Sequence, residues 1–164
     1  MEICIRPYQK DDCVFLLPII NDAILNTTIL YDYNCRTLEE QQQNFNNLLQ
    51  KGFPVLVATH LNDVVGFGYF GDFRFREAYK FSVEHSLYAL PDYIGKGVGN
   101  ALLTALIEQA KIQNRHTMIG VIDSENTNSI LFHEKFGFEK VGYIKESGFK
   151  FNKWLDSVFM QKIL

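Results

Sequence analysis

The sequence predicts an α/β domain built on a mixed sheet flanked by helices, and three observations carry that expectation. Three apolar segments, Val55 to Ala58, Val64 to Phe70 and Phe81 to Leu90, lie close enough in sequence to pair as antiparallel neighbours. Segments with helical spacing of apolar residues precede and follow them. A further apolar strand, Met118 to Ile122, is set between two helical segments.

Taken in order, a short strand at Ile3 to Arg6 ends at Pro7. Asp11 or Asp12 offers an N-cap for the apolar stretch Val14 to Leu25, and Pro18 within it predicts a kink or a late start. Thr37 and Glu40 have the spacing of a capping box, with each side chain satisfying a backbone N–H at the helix start. Leu38, Phe45, Leu48 and Leu49 then share one helical face, and the polar run Gln41 to Asn47 reads as the wet side. Leu61, Asn62 and Asp63 make a turn between two strands. After Pro91 a glycine-rich loop leads into a helix with Leu102, Leu103, Leu106, Ile107 and Ala110 on one face. Asn126 precedes another helix that ends at Gly137, and residues 138–164 read as two strands joined by a long loop. No repeat or linker interrupts the 164 residues, so one domain spanning 1–164 is expected.

Composition narrows the function classes. A net charge of −3 and a pI near 5.8 argue against a binder of nucleic-acid backbone, which needs a basic face. Cys4, Cys13 and Cys35 are odd in number and show no metal-ligand spacing, so neither a disulfide framework nor a metal is expected. With no leader-like apolar region and no stretch approaching 18 apolar residues, the expected setting is the cytoplasm. The chain carries 14 Phe, 8 Tyr and 1 Trp, concentrated in the blocks 67–88 and 132–159, which directs the search for an aromatic-walled pocket there.

The most specific local feature is Gly95, Lys96, Gly97, Val98 and Gly99, between a strand and a helix. Glycines permit close backbone approach, and a helix start presents free N–H groups, which together suit a phosphate or pyrophosphate. A Walker loop needs Ser or Thr after Gly-Lys, and Gly97 stands there instead. A dinucleotide fold has a point in its favour in Asp123, but its glycine turn follows the first strand rather than a block of antiparallel ones.

The arrangement resembles the GNAT superfamily of acetyl-CoA-dependent N-acetyltransferases, whose Arg/Gln-x-x-Gly-x-Gly/Ala loop wraps the CoA pyrophosphate. Ile94 stands where that pattern has Arg or Gln, which removes a side-chain contact and leaves the backbone ones. Further segments resemble the phosphinothricin acetyltransferase group, which includes enzymes acting on methionine sulfoximine and sulfone. They are Ile5-Arg6-Pro7; Gly71 with Phe73, Arg74, Ala78 and Tyr79; Glu84-His85-Ser86-Leu87-Tyr88; Asn126, Ser129, His133, Glu134 and Gly137; and Gly148, Phe149, Lys150, Trp154 and Asp156.

That resemblance implies a GNAT fold and transfer of acetyl from acetyl-CoA to a small amino-acid-like amine by direct attack, in a homodimer. A charged α-amine must lose a proton before it attacks, and Glu84 is the candidate base. His133 stands where relatives carry a tyrosine thought to protonate the leaving sulfur, and it is either that acid or a binding contact. Backbone groups of Leu87, Tyr88 and Ala89 would take the pantetheine arm, and Ile94 to Asn100 the pyrophosphate; Asn126 and Ser129 are further cofactor contacts. Arg74 and Arg76 suit a carboxylate clamp beside Phe73, with Tyr31, Lys150 and Trp154 shaping the acceptor pocket. The rival readings are a non-catalytic acyl-CoA-binding module and an acetyltransferase for a protein or RNA terminus.

Overall fold

The computed structural model describes all 164 residues. Its strands are β1 (Cys4–Pro7), β2 (Val55–His60), β3 (Asp63–Asp72), β4 (Ser82–Ala89), β5 (Thr117–Asp123), β6 (Glu139–Lys150) and β7 (Lys153–Ile163). Its helices are α1 (Cys13–Asn26), α2 (Leu38–Gln50), α3 (Val98–Ile112) and α4 (Thr127–Lys135). The seven strands form one sheet in the order β1-β2-β3-β4-β5-β7-β6. Every pairing is antiparallel except that of β4 with β5. The mixed sheet expected from sequence is therefore present, and no helix is long and apolar enough to cross a membrane.

Strand alternation divides the core between the two faces of the sheet. On one face α3 packs Leu102, Leu103 and Leu106 against Val83, Met118, Val158 and Met160. On the other, Leu16, Ile20 and Ile24 of α1 and Phe45 of α2 cover Val57, Phe67 and Tyr88. The second face is tied together by aromatic contacts, with Phe45 edge-on to Phe67 and Phe67 stacked on Tyr88 at 4.9 Å.

Several local expectations are corrected. α1 runs unbroken through Pro18, because the carbonyl that loses its partner belongs to Val14, which is exposed and open to water. Asp12 does not cap α1 with its side chain. Its carboxylate is taken by Arg6, through two 2.7 Å contacts, and by the Gln9 N–H. The Thr37–Glu40 capping box forms, but Leu38 and Leu49 are exposed and Gln41 is buried, with Arg36 donating to its Oε1 at 3.0 Å. The third strand begins at Ser82, leaving Phe81 exposed. The long loop expected after residue 138 is absent. β6 and β7 instead form a long hairpin closed by Phe151 and Asn152, both at positive φ as a two-residue primed turn requires.

Two glycines on β3 set how closely α3 approaches the sheet. A Cβ on Gly66 would lie 2.6 Å from the Tyr88 carbonyl oxygen and 2.8 Å from Val98 Cγ1, and one on Gly68 would lie 2.7 Å from Leu87 Cδ2. Because the backbone of β4 cannot yield as a side chain would, Gly66→Ala is expected to cost about 1–3 kcal/mol. Urea unfolding checks this; an unchanged midpoint would mean that α3 seats without that contact.

Candidate active site

β4 and β5 pair at only three positions, Ser82 with Thr117, Val83 with Met118 and Glu84 with Ile119. Beyond Glu84 they part. β4 stays paired to β3 through Leu87, Tyr88 and Ala89, while β5 stays paired to β7 through Asp123. The edge of β4 that faces β5 therefore has no strand partner past Glu84, and neither does the facing edge of β5.

The residues at this fork divide by alternation. Glu84 is half-buried on the α1–α2 face, the face of Tyr88, whereas His85 points to the α3–α4 face. Burial raises the Glu84 carboxyl above its usual range, and the nearby charge of Arg74 works against that rise. Arg74 stacks over Phe73 at 4.3 Å and donates to the Phe73 carbonyl at 3.0 Å, so it acts on Glu84 through its charge and not by an ion pair. Arg76 instead lies over the exposed Phe75, in a solvent-facing pair.

On the same face Val121, in the middle of β5, is 38% exposed, so the helices leave part of the sheet uncovered there. Tyr31, from the loop between α1 and α2, lies on this same face toward the end of β5, at Ser157, the partner of Asp123. Its ring lies against Gly148, where a Cβ would sit 2.5 Å from Cε2, and its hydroxyl meets Ser157 Oγ at 3.4 Å. Trp154 does not join Tyr31: it pairs opposite Phe149 on the other face of the hairpin and is 62% exposed. Lys150 is buried and turned away from solvent, with its ammonium donating to the carbonyls of Thr27 and Leu30.

On the opposite face His133 Nδ1 donates to the Ser129 carbonyl at 2.6 Å, so that nitrogen carries the proton. Burial lowers the pKa, the ring is neutral near pH 7, and Nε2 holds a lone pair with no partner. His85 stacks on His133 with centroids 5.1 Å apart, and both of its nitrogens are buried and unpartnered. Both rings lie on Gly120, which a side chain would fill. The sequence reading did not bring His85 and Gly120 together with His133. The signal available was alternation, since the neighbour of a strand carboxylate must face the other layer.

The glycine loop exposes Ile94, Gly95 and Lys96, and Gly95 and Gly97 hold φ of 76° and 95°, conformations that favour glycine. Gly97 is the N-cap of α3 and supplies no side chain to the first turn, so the N–H groups of Val98, Gly99 and Asn100 remain free. Asn126 caps α4, accepting from Ser129 N–H at 3.1 Å. The open edge of β4 and this loop are neighbours along the chain. Together they present the backbone donors and acceptors that a phosphate-bearing pantetheine arm needs. The Tyr88 side chain is buried on the α1–α2 face and its backbone alternates toward β3, so the groups left on the open edge are those of Leu87 and Ala89, a correction to the expectation for Tyr88.

Comparison with known proteins agrees with this geometry. The Acetyltransferase (GNAT) family model matches residues 21–138. The chain is 40% identical over 162 residues to an L-methionine sulfoximine/L-methionine sulfone acetyltransferase of Pseudomonas aeruginosa, covering 98% of this chain and 94% of the relative. Among solved structures it superposes on a GNAT superfamily phosphinothricin acetyltransferase from Sinorhizobium meliloti in complex with AcCoA. That match has a TM-score of 0.97 and 34% identity, covering 100% of this chain and 89% of the other. It is equally similar, at TM-score 0.97 and 41% identity, to a structure described as ribosomal-protein-alanine N-acetyltransferase from Brucella melitensis, covering 98% and 99%.

Burying the His85 pair has a consequence for stability against acid. Burial, and then the neighbouring His133, lower the His85 pKa from 6.5 to about 3. The unfolded chain therefore binds the extra proton between these values, so this contribution is whole above pH 6.5 and is lost as pH falls toward 3. His85→Phe, which keeps a ring against His133 and Phe138, is expected to unfold at lower pH than the parent. Circular dichroism along an acid titration reads this, and coincident curves would contradict it.

Proposed function

This chain belongs to the acetyltransferase (GNAT) family and is an acetyl-CoA-dependent N-acetyltransferase; from that premise we propose that its acceptor is the α-amine of a small amino acid of the methionine sulfoximine or phosphinothricin type. The observation that carries this reading is the grouping of Glu84, Arg74, Phe73 and Tyr31 on one face of the open β4–β5 fork. A carboxylate for the amine, a guanidinium for the acceptor carboxylate and aromatic walls make a set suited to a free amino acid.

When bound, acetyl-CoA supplies the acetyl group as a thioester. The Leu87–Ala89 edge would hold the pantetheine arm by strand addition through the backbone groups of Leu87 and Ala89, and an N–H there would polarise the thioester carbonyl. The loop from Ile94 to Asn100 holds the pyrophosphate, with Asn126 and Ser129 at the start of α4 beside it. Arg74 orients the acceptor carboxylate while Glu84 takes the amine proton, and the raised affinity of a buried carboxyl for protons suits that task. The amine then attacks directly, with no enzyme nucleophile. His133 rests with its proton on Nδ1, so to protonate the leaving sulfur it would first take on Nε2 the second proton that the amine nitrogen sheds on acylation; otherwise it serves as a binding contact. A thiolate with a pKa near 8.5 leaves readily enough for that step to assist rather than decide.

The whole chain, 1–164, acts as one catalytic domain in the cytoplasm, and we infer a homodimer. Support for the dimer comes from the outer strand β6, whose Val141, Tyr143 and Ile144 are about half exposed along an unpaired edge. The likeness to the ribosomal-protein-alanine enzyme favours a second reading, acetylation of a protein N-terminus.

Thiol release from acetyl-CoA distinguishes these. Turnover with L-methionine sulfoximine, L-methionine sulfone or phosphinothricin, and none with an Ala-initiated peptide, is expected. Peptide-only turnover would shift the assignment to the second reading, and binding without any turnover would make the chain a non-catalytic module. With a good acceptor, Glu84→Gln is expected to lower kcat by about 10²–10⁴. Arg74→Gln is expected to raise the acceptor KM. It should also move the acidic limb of kcat/KM to higher pH, because the charge that holds the Glu84 pKa down is gone. An unmoved limb would remove Glu84 as the titrating base.

A further inference from the structure

The hairpin β6–β7 reaches back across 120 residues of sequence to hold the loop between α1 and α2. Lys150, 3% exposed, lies next to the hairpin turn, and its Nζ donates to the Thr27 carbonyl at 2.7 Å and the Leu30 carbonyl at 2.5 Å. Thr27 is the C-cap of α1, so the ammonium sits where a helix presents unpaired carbonyls and the negative end of its dipole. α1 has no basic residue of its own in its last turn. A cation supplied from the hairpin meets that need, and an apolar residue at 150 would leave these part-buried carbonyls without that donor.

Two further contacts fasten the same segment. The Tyr33 hydroxyl donates to the Phe149 carbonyl, immediately before Lys150. Tyr31 lies flat against Gly148, too close for any side chain there, and touches Ser157 of β7, which shares a 2.7 Å contact with Ser147 of β6. Gly148, Phe149 and Lys150 therefore hold Tyr31, Tyr33 and the carbonyls of Thr27 and Leu30. Each residue of this tripeptide contributes something different: a gap, a carbonyl and a cation.

We propose that Lys150 is a positioning residue for the acceptor, acting through the Thr27–Leu30 backbone and Tyr31 and not by contact with substrate. Lys150 clamps the end of α1, the clamp fixes the loop, and the loop sets the position of Tyr31 on the acceptor face. The cofactor side of the fork is untouched by this chain of contacts. This rests on the acceptor face assigned above.

The test compares the parent, Lys150→Met and Tyr33→Phe, using L-methionine sulfoximine and acetyl-CoA, alongside hydrogen exchange of the free proteins over residues 27–36. Losing a charge-assisted double hydrogen bond is expected to raise the acceptor KM about tenfold or more in Lys150→Met, with the acetyl-CoA KM within about twofold. Tyr33→Phe is expected to move the same parameter in the same direction by about two- to fivefold, as suits one neutral hydrogen bond. In both, exchange over residues 27–36 is faster, while residues 95–112 exchange as in the parent. An unchanged acceptor KM, an equal rise in both KM values, or unchanged exchange over 27–36 would overturn the proposal. If Lys150→Met does not fold, Tyr33→Phe alone decides by the same criteria. If the parent turns over no acceptor, the acceptor assignment fails, and the exchange comparison still decides the clamp.

Discussion

The site depends on the parting of β4 from β5 after three parallel pairs. Each strand keeps its other neighbour, so the sheet holds together across seven strands while a fork opens at its centre. An unpaired backbone edge in a sheet is ordinarily a liability, and under the proposed function it is the seat of an extended ligand. The fork also supplies two environments one residue apart. Glu84 faces the layer of α1 and α2, and His85 faces the layer of α3 and α4.

Charge follows the same division. The acceptor face carries an exposed arginine beside a half-buried carboxyl, with opposite effects on its titration. The other face carries two stacked imidazoles kept neutral by burial, with three of their four nitrogens unpartnered. Such groups are rare in folded proteins because each loses hydration without compensation. On the α1–α2 side the hairpin acts at a distance, since its Gly-Phe-Lys stretch holds the loop that carries Tyr31 and Tyr33.

Much of this was legible in the residues. The block of three antiparallel strands, the Thr37–Glu40 box and the glycine loop opening α3 were all readable, because each depends on local spacing and turn chemistry. What was not legible depended on partners distant in sequence. Gln41 looked like a solvated residue until Arg36 came within hydrogen-bond reach of it. The loop expected near residue 150 was a primed two-residue turn, because Phe151 and Asn152 carry no glycine to signal positive φ. Lys150 and Trp154 were grouped as acceptor residues by a shared motif, yet strand alternation sends their side chains to opposite faces. The pairing of His85 with His133 needed the register of β4 against α4, which no local pattern supplies.

The account stands on the open edge of β4 as the seat of acetyl-CoA, and amide hydrogen exchange with and without acetyl-CoA tests that directly. Saturating acetyl-CoA should slow exchange in at least one amide among Leu87, Tyr88 and Ala89, and in the loop from Gly95 to Asn100. Amides of β1 and β2 should stay unchanged. Protection confined to the glycine loop, with none along Leu87 to Ala89, would contradict the claim that the fork opens to admit the cofactor as an added strand.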